Sequence, residues 1–239
     1  MTEDSVYQGR VRLVQPEAGF RAGTDSLLLA AAVACRAGDE ALELGCGSGG
    51  ALLPAAYRMA DTRFTGLEMV SATVILARRG VILNGFEGRV EVAEGEASAW
   101  VRDHENRFGL VFANPPYFEP GRISAPGDGK TEAYLETLDL AGWVKAMVFA
   151  AKPRAPVVMI HRAAELARVL TAFDRQTGEI TVLPIASKPG EEARRILVRG
   201  RKGLKRGPVR LLAPLVTHLA DGSPSPALEA VRRGEPVSW

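Results

Sequence analysis

Four consecutive residues, Asn114-Pro115-Pro116-Tyr117, hold the most specific chemistry in this chain of 239 residues. An exocyclic amino nitrogen attached to an aromatic ring or a carbonyl is a poor nucleophile, because its lone pair is delocalised. The Asn114 side-chain oxygen and the Pro115 carbonyl are both acceptors. Together they can take the two amino hydrogens and aim the lone pair at an electrophile. Tyr117 can stack on a flipped base, worth roughly 1–3 kcal/mol. No strong base is required, since the proton can leave after the new bond forms, so positioning and electrostatics would carry the rate. Pro115 and Pro116 also lack N–H donors and have a fixed φ. They cannot continue a central strand, so the segment must leave its sheet at the carboxyl end. That edge is where open α/β sheets place their ligands.

A glycine-rich turn offers the second site: Glu43-Leu44-Gly45-Cys46-Gly47-Ser48-Gly49-Gly50. Glycines permit a tight turn and let a ligand approach the backbone. Gly45, Gly47 and Gly50 satisfy the dinucleotide pattern G-x-G-x-x-G. Gly45, Gly47 and Gly49, with Glu43 two residues ahead, satisfy a second pattern, G-x-G-x-G. Glu68 follows Gly50 by 18 residues. A carboxylate there can accept from both hydroxyls of a ribose and would repel a 2′-phosphate. Glu94 and Glu96 flank Gly95 at the end of the third strand.

These residues require a particular scaffold. Short apolar runs alternate with helical patterns, which predicts an α/β, Rossmann-like fold: a mostly parallel sheet with an antiparallel last strand and helices on both faces. Strands are expected at Glu40–Leu44, Phe64–Leu67, Val90–Ala93, Leu110–Ala113 and Val157–Ile160, with Ile180–Ile185 and Ile196–Val198 as the final antiparallel pair. Helices are expected at Asp25–Cys35 behind a Thr-Asp cap, at Ser71–Asn84 between a capping serine and Gly85, at Leu140–Ala151 and at Ala163–Phe173. Glu119–Lys130 reads as a loop. The expected division is 1–38 for N-terminal strands and a helix packed on the catalytic domain, 39–200 for that domain, and 201–239 for a basic, Pro/Gly-containing extension.

Charge adds one clue. The net charge is only +2, yet Lys188 to Arg210 contains nine Lys/Arg against two Glu, a local +7. That asymmetry points to a polyanion. Arg201, Lys202, Lys205 and Arg206 are the candidate nucleic-acid contacts. Cys35 and Cys46 make no disulfide framework, and the histidines are scattered, so no metal is expected. The start is polar and acidic, unlike a signal peptide, and no apolar run reaches membrane-spanning length. A cytoplasmic monomer with no membrane partner is the expectation.

The chain resembles the class I methyltransferases that carry an N-P-P-Y motif. Within them it looks most like the bacterial tRNA (adenine-N6)-methyltransferases that act beside the anticodon of a valine tRNA. The blocks that carry this are Gly23–Leu29, Leu42–Gly49 and Asn114–Tyr117, and the similarity runs from about Leu13 to Val198. The resemblance implies S-adenosylmethionine as cofactor and RNA, most simply tRNA, as partner. It implies catalytic roles for Asn114, Pro115, Pro116 and Tyr117. Thr24 and Glu43 would lie near the methionine part of the cofactor, Glu68 at its ribose and Glu96 at its adenine. Gly45, Cys46, Gly47, Gly49, Met69, Ala97 and Asn114 complete the expected cofactor contacts. Many relatives carry Asp where Glu96 stands, and Glu94 is the competitor for that role.

Four rival readings remain, one of them a non-catalytic RNA-binding protein that would bind RNA without binding the cofactor. A ribosomal RNA guanine-N2 or adenine-N6 methyltransferase would use the same motif. A protein glutamine methyltransferase would have helices, not the strand-like Val11–Val14, ahead of the glycine turn. A nicotinamide-dependent oxidoreductase fits the glycines but leaves Asn114–Tyr117 unexplained.

Overall fold

The computed structural model describes residues 1–17, 21–116 and 138–239. Its centre is a sheet whose first five strands are parallel: β3 (Glu40–Leu44), β4 (Arg63–Glu68), β5 (Val90–Glu94), β6 (Leu110–Ala113) and β7 (Pro156–Arg162). Their order is β5-β4-β3-β6-β7, followed by β9 (Ala193–Lys202) and then β8 (Thr177–Ala186). Strand β9 is antiparallel to both of its neighbours. This differs from the all-parallel order of dinucleotide-binding folds. It matches the mostly parallel sheet with an antiparallel last strand that the apolar runs predict. β9 continues to Lys202, across the boundary expected after residue 200.

Every residue of β6 is buried, as a strand covered on both faces requires. Successive side chains point to opposite faces. Phe112 therefore joins the core under α1 (Thr24–Ala32), α2 (Leu52–Arg58) and α3 (Ser71–Leu83). Val111 and Ala113 join the other core, under α5 (Leu140–Ala150) and α6 (Leu166–Gln176). A short α4 (Ala97–Trp100) follows β5.

Three helix starts differ from expectation. Gly23, not Thr24 or Asp25, is the N-cap of α1, and no side chain caps it. Helix α3 has Val70 as N-cap, and Ser71 instead donates to Glu94. The Val70 N–H donates to Glu68 Oε1 at 2.9 Å, so a carboxylate from β4 supplies the acceptor near this start. Helix α6 begins later than expected, after a turn of 3₁₀ helix at Ala163–Glu165.

The chain ends add further layers, of which only the strand-like Val11–Val14 was read from the sequence. Thr2–Val6 (β1) and Val11–Gln15 (β2) form an antiparallel hairpin. Arg210–Leu211 (β10) and Leu215–Val216 (β11) pair with β8, and α7 (Pro226–Arg232) follows. The tail then closes on the end of α1, whose last carbonyls have no intrahelical donors. Val237 N–H donates to Ala31 O at 2.8 Å and Trp239 Nε1 to Ala32 O at 2.7 Å. Arg58 donates to Ala30 O and, at 3.2 Å, to Val33 O. No helix among the described residues is long and apolar enough to cross a membrane.

Candidate active site

The glycine turn leaves β3 at Leu44 and is tied to β4 by Cys46 N–H donating to Leu67 O at 2.9 Å. Gly45 has φ +69°, and a Cβ there would stand 2.8 Å from the Trp143 ring. Glycine is thus required twice over, by backbone and by packing. Gly47 is also left-handed, at φ +55°, but a Cβ on it would meet no atom within 4 Å. Its N–H donates to Glu68 Oε2 at 3.0 Å. Glu68 therefore locks the glycine turn with one oxygen and the start of α3 with the other. Each oxygen keeps further lone pairs for a ligand.

Beyond the turn, β6 stops at Ala113, opposite Leu44 of β3 and Met159 of β7. Asn114, Pro115 and Pro116 then enter the wall of a cavity of about 700 Å³. Glu43, Gly45, Cys46, Gly47, Glu68, Met69, Glu96 and Ala97 line the same cavity. Glu96 lies there and Glu94 does not. Glu96 caps α4 by accepting from Ser98 N at 2.8 Å, Ala99 N at 2.8 Å and Ser98 Oγ at 2.7 Å. Burial pushes its pKa up, but these hydrogen bonds and the Arg102 charge outweigh that and hold it below the usual range. It is a fixed carboxylate at the lip of the cavity.

Glu43 behaves in the opposite way. It is 2% exposed. Burial pushes its carboxyl well above its ordinary 4.5, a backbone hydrogen bond at Leu52 opposes this, and the nearby Glu68 charge adds to the rise. Its Oε2 has no hydrogen-bond partner, and neither has Nε1 of Trp143. Unpaired buried polar atoms are costly. Two of them in the walls of one cavity mark a place built for a polar ligand, with Glu43 suited to a cationic group. The unpartnered Glu43 oxygen, the open space at Gly47 and the anchored Glu68 fit an amino-acid-bearing nucleoside.

Residues 18–125 match the methyltransferase small domain. A tRNA1(Val) (adenine(37)-N6)-methyltransferase from Escherichia coli O157:H7 is 31% identical over 121 residues, which cover 50% of this chain and 49% of the relative. Another of the same name, from Cronobacter sakazakii, is 28% identical over the same shares. The chain spans about half the length of these curated relatives. Among solved structures, one from Agrobacterium tumefaciens described as a predicted O-methyltransferase has a TM-score of 0.73. It is 25% identical, with 90% of this chain and 98% of that one covered.

The methyltransferase match takes in the glycine turn, Glu68, Glu96 and Asn114–Tyr117, whereas Trp143, Arg162 and the basic stretch lie beyond it. Two expected cofactor residues, Thr24 and Gly49, fall outside the cavity wall. Ser26 of α1 lines it instead, and Gly49 faces Leu53. Tyr117 and the expected loop Glu119–Lys130 lie outside the described residues. Trp143, Thr73 and Arg162 line the cavity without having been singled out in the sequence.

Arg201, Lys202, Lys205 and Arg206 are not brought to the cavity. Arg201 pairs in register with Pro156, the first residue of β7, whereas Arg195 pairs with Arg162, its last. Six residue steps separate the two edges, about 20 Å along the strand. At the far edge Arg201 Nε donates to Arg154 O at 2.9 Å, and Arg201 Nη1 lies 3.7 Å from Glu179 Oε2. Lys202 donates to Asn106 Oδ1 at 2.8 Å. Arg206 stands 3.8 Å from Asp174.

Proposed function

We infer that the chain transfers a methyl group from S-adenosylmethionine to the exocyclic N6 amino group of an adenine in RNA, most simply tRNA. The observation that carries this is the placement of Asn114 and Pro115 at the end of β6, in the wall of the cavity that also holds the glycine turn and Glu68. The names of the relatives support adenine N6 and tRNA as the target. Residues 39–200 would be the catalytic unit, with the hairpin, α1 and the C-terminal layer as its supports.

Bound in this cavity, S-adenosylmethionine would supply an electrophilic methyl group on a cationic sulfur. The protein's part is placement. Glu68 would accept the ribose hydroxyls, Glu96 the adenine amino group, and Glu43 would face the ammonium of the methionine part. Asn114 Oδ1 and the Pro115 carbonyl would accept the two hydrogens of the target amino group. That fixes the nitrogen and favours its tetrahedral form as the new bond grows, an interaction stronger in the transition state than before it. Tyr117 would stack on the target base. The likeness to a predicted O-methyltransferase favours a second reading, an oxygen acceptor. Such an acceptor has to lose a proton to a base, whereas two acceptors at Asn114-Pro115 suit an amino group.

The test is methyl transfer from labelled cofactor to RNA lacking such modifications, followed by nucleoside analysis. Label in N6-methyladenosine, lost in Asn114→Ala, is the expected result. Label in N2-methylguanosine, in protein glutamine or in a hydroxylated small molecule would overturn the reading.

A further inference from the structure

We propose that Arg162 and Arg194 contact the phosphates of the RNA substrate at the mouth of the cavity, and that the denser cluster at Arg201–Arg206 does not. The inference rests on the RNA reading above. Strand order provides the ruler, since neighbouring strands lie about 4.8 Å apart. Along the carboxyl edge of the sheet, β5, β4 and β3 bring the carboxylates Glu96, Glu68 and Glu43 into the cavity. Strand β6 brings Asn114. The next strand, β7, ends at Arg162, which lines the cavity, and β9 follows with Arg194 and Arg195.

Within the cavity wall the charged side chains therefore divide across Asn114, with Glu96, Glu68 and Glu43 on one side and Arg162 on the other. The acidic half suits a cationic ligand rich in hydroxyls and repels phosphate. A phosphate-bearing substrate presenting an amino group to Asn114 must lie on the other side, over β7 and β9. Those strands are one and two spacings from β6, about 5 and 10 Å. The phosphates flanking a base lie at distances of this order from its edge.

The cations on this edge are not equivalent. Asp25 pairs with Arg195 at 2.7 Å, and Lys188 stands in the turn before β9 rather than on the strand. Arg162 is singled out by its place in the cavity wall and Arg194 by its exposure. The Arg201–Arg206 cluster stands at the opposite edge of the sheet, where Arg201, Lys202 and Arg206 have protein partners.

The experiment compares RNA affinity across a salt series for the wild type, Arg162→Ala/Arg194→Ala, Arg162→Lys, and a quadruple Ala variant at Arg201, Lys202, Lys205 and Arg206. On single strands the log–log slope falls by about 0.7 for each phosphate no longer neutralised. The double variant should flatten the slope by one to two such steps and weaken RNA binding. Arg162→Lys should keep most of the slope, and the quadruple variant all of it. Calorimetry with S-adenosylhomocysteine should give wild-type affinity for the double variant. A slope lost in the quadruple variant and kept in the double one would overturn the inference and leave the RNA reading intact. Loss of S-adenosylhomocysteine affinity in the double variant would place Arg162 on the cofactor and overturn it too. A wild type with no salt-dependent RNA affinity would overturn the RNA reading itself.

Discussion

Replacing Glu43 by Gln isolates one buried charge and predicts a specific dependence on pH. Glu43 is 2% exposed, and its Oε2 has no partner. Burial, reinforced by Glu68, raises its pKa well above 4.5. In the ligand-free protein the carboxyl therefore holds its proton to a higher pH than an exposed glutamate does. The ammonium of the proposed cofactor, placed beside it, would reverse the preference, so binding would release that proton. Affinity for S-adenosylhomocysteine should rise with pH, by up to about tenfold per unit, until the pH passes the raised value, and be flat above it. Gln cannot ionise. Glu43→Gln should bind independently of pH through this site and, at high pH, more weakly by roughly 1.5–3 kcal/mol, the worth of a charged hydrogen bond. Stability carries the opposite sign. A folded pKa above 4.5 stabilises the fold fully below 4.5, and that contribution is lost as pH rises through the folded value. The ligand-free wild type should lose melting temperature over this window, and the Gln variant should not. Calorimetry in buffers of different ionisation enthalpy reads the released proton directly. A wild-type affinity that ignores pH, together with a Gln variant that binds equally well, would refute the assignment.

Glu68→Gln should weaken S-adenosylhomocysteine binding by roughly 1.5–3 kcal/mol. It offers one acceptor to two N–H groups, of Gly47 and Val70, so calorimetry should show the loss without global unfolding. Gly50→Ala would put a Cβ 2.5 Å from the Ala22 Cβ and 3.2 Å from Ser26 Oγ. Overpacking of this kind costs about 1–3 kcal/mol, which urea denaturation would measure. Trp239→Phe keeps a ring near Arg199 but removes the donor to Ala32 O. A loss of about 0.5–1.5 kcal/mol is expected, and an unchanged melting curve would show that the tail does not hold α1.

What the sequence shows and what it hides divides along local and long-range causes. Pro115 and Pro116 end β6 for a reason internal to the residues, the missing N–H, so the exit of the chain from the sheet was readable. The place of Glu68 beside the glycine turn was readable because its spacing from that turn is local to one βαβ unit. The starts of α1 and α3 were not. Thr24 and Ser71 are good capping types, yet Gly23 takes the first position, and near the second the acceptor is a carboxylate arriving from β4. Trp143 supports Gly45 only because α5 packs beneath the turn, which no periodicity reports.

The basic stretch shows the same limit most sharply. As a string, Arg194 to Arg206 is one dense run of positive charge. A ten-residue antiparallel strand passes through it, so its two ends reach opposite edges of the sheet. The end with more cations has Glu179, Asn106 and Asp174 nearby to occupy them. The end with fewer stands beside Asn114's strand and the cavity. Charge density along a chain becomes a binding surface only through strand direction. Here direction assigns the sparse end, not the dense one, to the substrate.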